Sequence, residues 1–247
     1  MSETPGAPAA VTFDFGNTLV SEPDADAAPA ARIRHLARWL GERGADAGED
    51  ALTEAFEAAR RAAEDTWRDE RRHVHGAESV ARILAHLEVD SSDAELAPLI
   101  AVLEDPLPGP RMVAVDGAAA ALERLRSRGV RLGIVSNLAW GPARVMRPQL
   151  EHVGLLGYFE PDAVVFSDQV GFVKPHPKIF ETALAALETP PERAAHVGDL
   201  KLTDVAGAAA LGIRTVRFTG IYDDQSEGPE ADIVVGRLSD VPSALGL

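Results

Sequence analysis

Four polar clusters in this chain combine residue types suited to chemistry at a phosphate. Asp14 follows the apolar run Val11–Phe13. Ser136-Asn137 follows Leu132–Val135. Lys174 lies in the loop after Ala163–Phe166, and Gly198-Asp199 and Asp204 follow Ala194–Val197. Three carboxylates with no Cys or His among them suit a hard cation with oxygen ligands, so Mg²⁺ rather than zinc. A carboxylate beside such a cation can attack phosphorus and carry a covalent intermediate. The Ser136 hydroxyl, nearby backbone N–H groups and Lys174 can hold equatorial phosphate oxygens as charge redistributes.

The elements around these clusters explain how distant positions could meet. Val11–Phe13 reads as a buried strand stopped by a Gly16-Asn17 turn. From about Pro29 to Glu104 the apolar spacing is helical: Ile33, Leu36, Trp39 and Leu40; Leu52, Phe56 and Ala59; Val80, Ile83, Leu84 and Leu87. Ser92-Asp93-Ala94-Glu95 is a capping box that opens a fourth helix, in which Pro98 should produce strain or a kink. Turns are expected at Gly44–Gly48 and Arg72–Gly76, and a Pro-rich linker at 104–112. Beyond it helix and strand alternate. Helices are expected at Asp116–Arg128, after Pro142, at Pro177–Leu187 and at Val205–Leu211. Strands are expected at Arg131–Val135, Ala163–Phe166, Ala194–Val197, Thr215–Phe218 and Ile233–Val235. This pattern predicts an α/β fold, a Rossmann-like parallel sheet core covered on both faces, with a helical domain inserted after its first strand. Ligands of such sheets bind at the carboxyl ends of the strands, where all four clusters fall.

Composition narrows the partners. The 247 residues allow one large domain or two small ones. With 39 acidic and 24 basic residues the formal charge is −15, and no basic block stands out except Arg71-Arg72. Nucleic-acid binding and anionic membrane surfaces are therefore disfavoured. Apolar runs fall short of the roughly 18 residues that cross a bilayer. The start, MSETPGAPAA, reads as a short disordered lead rather than a secretory signal. The chain has no Cys, which excludes disulfides and thiolate metal sites and fits a reducing cytoplasm. A strongly acidic protein repels an anionic substrate at long range, so local cations must compensate. Only three lysines occur among 21 arginines: Lys174, Lys178 and Lys201. Lys178 is expected on the outer face of its helix, and Lys201 near the mouth of the site.

The four clusters resemble the four motifs of the haloacid dehalogenase-like hydrolase superfamily. VTFDFGNTLV resembles its nucleophile motif, GIVSN its Ser/Thr motif, GFVKPHPKIF its lysine motif and HVGDLKLTDVAGA its acidic motif, in order across nearly the whole chain. The resemblance implies an α/β core at 1–20 and 108–247 with an inserted four-helix cap domain at 21–107. It implies Asp14 as the nucleophile, its other oxygen on Mg²⁺, and Ser136 and Lys174 as phosphate ligands supported by Asn137. Asp199 would be a metal ligand, and Asp204 would orient Lys174 or a metal-bound water. The substrate implied is a small phosphorylated metabolite, a sugar phosphate among the options.

One position departs from the phosphatase pattern. Phosphatases of this superfamily usually place a second Asp two residues after the nucleophile, as general acid and then base. Here that position is Gly16, whose backbone carbonyl can still meet the metal but which transfers no proton. General acid–base help is worth about 10²–10⁴-fold in rate. The replacement acid could be His73, His75, Glu22 or Asp24. The alternatives are a metal-independent 2-haloacid dehalogenase and a non-catalytic relative that binds a phosphorylated ligand or a protein. Retention of Asp199 and Asp204 favours metal and phosphate. Region 21–110 has no Lys, which disfavours the Schiff-base route of the superfamily's phosphonate hydrolases.

The remaining residues have structural expectations. His176 reads as a loop residue, and His73 and His75 as exposed loop histidines. Trp39, Trp67 and Phe56 should pack among the inserted helices, and Trp140 is a candidate wall for substrate.

Overall fold

The computed structural model describes residues 6–247. In chain order the strands and helices are β1 (Ala10–Phe13), β2 (Val20–Ser21), α1 (Ala27–Gly41), α2 (Glu49–Glu70), α3 (Gly76–His86), α4 (Asp93–Glu104), β3 (Val113–Ala114), α5 (Ala118–Ser127), β4 (Arg131–Ser136), α6 (Ala143–His152), β5 (Val164–Phe166), α7 (Ser167–Val170), α8 (Pro177–Ala186), β6 (Ala194–Gly198), α9 (Ala206–Ala209), β7 (Arg214–Phe218), β8 (Ile233–Val235) and α10 (Val241–Ala244).

Six strands form one sheet in the order β5-β4-β1-β6-β7-β8, and every neighbouring pair is parallel. The chain steps outward from β1 through β4 to β5, then resumes on the other side at β6. The strand order thus reverses between β1 and β6, where the loops part and leave a crevice. Side chains alternate across the sheet. Ile134 packs with Phe13, Leu122, Leu125 and Leu150 on one face, while Val135 packs with Ile179, Phe180 and Leu184 on the other. Both faces are covered, as continuous apolar strands require.

Helices α1–α4 build a separate apolar cluster around Leu36, Leu40, Leu52, Ile83 and Leu103. Trp39 belongs to it, and Phe56 packs against it. In α4, Glu95 accepts the Ser92 backbone N–H at 3.0 Å, as the capping box predicts, and the helix continues through Pro98 to Glu104. The chain enters and leaves this helical insert through an antiparallel ribbon, with Val20 opposite Ala114 and Ser21 opposite Val113. A second junction lies at the other end of α2. There His73 N–H donates to Gly171 O and Val173 N–H to Arg71 O, both at 2.9 Å.

Several local expectations need correction. The lead predicted over the first ten residues falls partly on 1–5, outside the described residues. Its end is ordered, with Ala9 bonded to Arg193 O and Ala10 buried in β1, because sheet pairing captures it. The helix expected from Asp116 starts at Ala118, after Gly117 at φ 79°. The helix expected at Val205–Leu211 is preceded by a π-type turn over Lys201–Val205, and α9 ends at Ala209. His73 is not exposed: it is buried, with Nδ1 3.0 Å from Ser167 Oγ. No described helix is long and apolar enough to cross a membrane.

Candidate active site

The sheet brings the four clusters to one edge. Asp14 leaves β1 and Asp199 leaves β6 on either side of the order reversal, and Ser136 ends β4. Lys174 arrives from the loop before α8, a helix started by Pro177 and by His176 Nδ1 accepting the Lys178 N–H. Asn137 fixes that loop, because its side chain accepts the Lys174 N–H at 2.7 Å and donates to Lys174 O at 3.2 Å. Its amide is thus committed to the lysine's backbone.

Lys174 Nζ donates to Asp14 Oδ1 at 2.7 Å and to Asp204 Oδ1 at 2.6 Å. All three residues are buried. Burial alone would lower the lysine's pKa, but Asp14 and Asp204 outweigh it and hold the ammonium above its ordinary value. Burial would raise Asp204, yet Lys174 and His196 hold it well below the usual carboxylate range. Asp204 Oδ2 also accepts the Leu200 N–H at 3.1 Å. The carboxylate approaches this closely because residue 198 is glycine: a Cβ there would lie 2.3 Å from Asp204 Cγ.

Asp199 stands differently. Its Oδ1 is buried without a hydrogen-bond partner. Burial first, then the charges of Asp14 and Asp204, push its carboxyl up to about 8. Carboxylate oxygens of Asp14, Asp199 and Asp204 lie within 4.8 Å of one another. An orphaned carboxylate oxygen among three acids and one lysine fits a bound cation, and the all-oxygen donor set fits a hard one. Asp204 is the least free of the three, since both its oxygens already have protein donors.

Asp14 and Asp199 line a cavity of about 670 Å³ together with Gly16, Ser136, Asn137, Glu22, Arg32, Arg111 and Trp140, while Lys174 and Asp204 lie outside its lining, behind Asp14. Trp140, the candidate substrate wall, is among these lining residues. It packs on Phe56 with ring centroids 5.7 Å apart. A neighbouring cavity of about 400 Å³ lies among the inserted helices and takes in Trp67 and Phe56. Lys178 is exposed, as expected. Lys201 is half-buried, and its Nζ donates to Ser226 O at 3.3 Å. Of the four replacement acids considered, Glu22 lines the active cavity, while His73 turns to Ser167, and His75 and Asp24 are outside the lining.

Two groups of residues escaped sequence reasoning. His196 sits on β6 in register with Thr12, its Nδ1 2.9 Å from Thr12 Oγ1 and its Nε2 2.9 Å from Asp204 Oδ1. A carboxylate at Nε2 and a hydroxyl at Nδ1 suit the tautomer with its proton on Nε2. The signal was a histidine inside an otherwise apolar strand opposite a threonine. Arg32 and Arg111 carried no such signal among so many arginines.

The comparisons with known proteins agree with this geometry. A family model described as haloacid dehalogenase-like hydrolase matches residues 8–212. The chain belongs to that family of enzymes. It is 30% identical over 230 residues, 90% of this chain and 87% of the relative, to a ribulose-1,5-bisphosphate 5-phosphatase of Halopiger xanaduensis. It is 39% identical to a phosphoserine phosphatase of Thermus thermophilus over 127 residues, which is 48% of that relative's length. A haloacid dehalogenase-like hydrolase domain-containing protein 3 of Bos taurus is 38% identical, over only 40% of its length. Among solved structures, a phosphatase of the family from Thermococcus onnurineus superimposes with a TM-score of 0.65 at 25% identity, covering 96% of this chain and 97% of that one.

Proposed function

We propose that this hydrolase is a Mg²⁺-dependent phosphatase that removes phosphate from a small soluble monoester through an aspartyl-phosphate at Asp14. The observation that carries this reading is the buried Asp14–Lys174–Asp204 cluster beside the orphaned Asp199 oxygen, with Asp14 and Asp199 opening onto a cavity that Ser136 also lines.

Asp14, the Gly16 carbonyl and Asp199 would hold the metal, which supplies positive charge against the phosphate. Asp204 serves as the buried counter-ion that aims Lys174 and belongs to the ligand set only secondarily. An ammonium has three N–H donors, two of which are taken here; the third remains for a phosphate oxygen. With the Ser136 hydroxyl it steadies the equatorial oxygens. An Asp14 carboxylate oxygen bonds to phosphorus while the bond from phosphorus to the leaving oxygen breaks, and the leaving oxygen takes a proton. Water then attacks the aspartyl-phosphate, releasing inorganic phosphate and restoring the Asp14 carboxylate. With glycine at position 16, Glu22 is the one of the four replacement acids that lines the cavity, and it would have to leave its 3.2 Å ion pair with Arg111 to supply the proton.

Helices α1–α4, residues 21–107 with their ribbon, act as the cap that shields these steps from bulk water, as lids commonly do. The test is a phosphomonoester panel with and without Mg²⁺ on wild type and Asp14→Asn. Mg²⁺-dependent release that vanishes in the variant supports the reading. Release that persists in pure Asp14→Asn protein removes the nucleophile assignment.

A further inference from the structure

Phosphoryl chemistry leaves two cavity residues unused, Arg32 and Arg111. They differ in how their charge is met. Arg111 already has carboxylate partners: Nη1 donates to Asp105 Oδ1 and Leu107 O, both at 3.1 Å, and Nε lies 3.2 Å from Glu22 Oε1 as an ion pair without hydrogen-bond geometry. Arg32 is 9% exposed, and among the described residues no carboxylate lies within ion-pair distance of it. Its Nε donates to Leu103 O at 2.8 Å, and its guanidinium stands 5.0 Å over the Trp140 ring. These two contacts fix the plane of the fork and leave both terminal nitrogens without a carboxylate.

We propose that Arg32 is a specificity-determining residue that binds a second anionic group of the substrate, a carboxylate or a second phosphate, while the first phosphate sits at Asp14, Ser136 and Lys174. This deepens the phosphatase reading and rests on it. A buried cation without a counter-charge is costly unless a ligand completes it. Burial, then the neighbouring Arg111, lowers Arg32 to about 10, with Glu22 and Asp105 opposing in part, so the guanidinium stays cationic at neutral pH. A guanidinium fork matches planar or tetrahedral oxyanions by paired N–H donors. In a chain of net charge −15, cation at a cavity wall is a selective feature rather than a background one. The position also fits. Arg32 rises from α1 while Asp14 rises from the sheet, so a doubly anionic metabolite bridges the two layers across about 670 Å³, a volume suited to small ligands.

The experiment uses Asp14→Asn protein with Mg²⁺ and three probes: propane-1,3-diol monophosphate, propane-1,3-diol bisphosphate and 3-phosphonooxypropionate. The bisphosphate or the carboxylate is expected to bind at least tenfold tighter than the monophosphate, and the better of the two identifies the anion. Adding Arg32→Gln is expected to collapse that ratio to within twofold, with Arg32→Lys between. Arg32→Met, which keeps the stem against Trp140, replaces the Gln variant if circular dichroism shows that one unfolded. Equal binding of all three probes, or a preference that survives loss of the guanidinium, overturns the inference. Turnover is read separately on wild type. Anion-selective binding with no ester hydrolysed defeats the phosphatase reading alone, and hydrolysis without anion preference defeats only this inference.

Discussion

His73 from the helical insert and Ser167 from the sheet layer meet at 3.0 Å, and Ser167 Oγ also accepts the Leu138 N–H at 2.9 Å. Leu138 follows Ser136-Asn137 directly, so one hydroxyl ties the insert to the segment that carries Ser136. Burial, then the neighbouring His75, holds the His73 imidazole down to about 4, against partial opposition from Asp168 and Glu78. The unfolded histidine titrates near about 6.5. The contact's contribution is therefore complete above that pH and is lost as pH falls from 6.5 through 4. Thermal midpoints from pH 7 to 4.5 should fall more steeply for wild type than for His73→Asn. At pH 7, His73→Ala should cost about 1–3 kcal/mol, the usual penalty for stranding a buried polar partner. Equal pH slopes for the two proteins would refute this.

Asp14→Asn should reduce phosphate release to background while leaving the fold intact. The substitution also removes a charge that presses on Asp199. The thermal midpoint without metal should accordingly stay level or rise. A drop of more than a few degrees would mean that the Lys174 ion pair outweighs that repulsion.

Gly16→Asp should raise kcat by about 10–100-fold if proton transfer limits the reaction, a fraction of the range for general acid–base help. A Cβ at residue 16 meets no atom within 4 Å, so the new side chain has room. Steady-state kinetics on one ester decide the matter, and a slower variant would show that the site depends on the bare backbone there.

Mg²⁺ bound to the folded state should raise the thermal midpoint of wild type, and the midpoint should keep climbing with the logarithm of its concentration above Kd. Asp199→Asn should abolish most of that increase. The orphaned Asp199 oxygen gives the reason, and calorimetry with and without a chelator supplies the measurement.

His196→Leu should destabilise the protein by about 1–3 kcal/mol, since it leaves Thr12 Oγ1 with only a 3.4 Å bond to Ala195 O and removes one donor from the buried Asp204. It should also lower kcat/KM by loosening the carboxylate that aims Lys174. Partial rescue by His196→Gln, which restores a donor, would separate aiming from simple packing.

That Asp14, Ser136, Lys174, Asp199 and Asp204 gather at one edge of the sheet was legible from the rule that parallel sheets collect ligands at their carboxyl ends; the roles proposed for them come from the motif resemblance. The inserted helices were equally visible, since Leu36, Leu52 and Ile83 recur at helical spacing. His196, His73 and Arg32 were not legible, because each owes its surroundings to partners far along the chain: Asp204 and Thr12, Ser167, Trp140. Periodicity reports which face is buried and is silent on which polar groups meet there. The ribbon β2–β3 was missed for another reason. Two-residue strands hold no period to read, and Val113 is 47% exposed.

That ribbon also bears on how such a chain could arise. Val20 and Ala114 are cross-strand neighbours, so the polypeptide departs from the sheet layer and comes back at the same rung. Apart from the segment around His73, which is tied to Ser167 and Gly171, the insert can lengthen, shorten or be exchanged without moving a strand of the parallel sheet. The sheet layer and most of the helical insert can therefore diversify on separate evolutionary clocks.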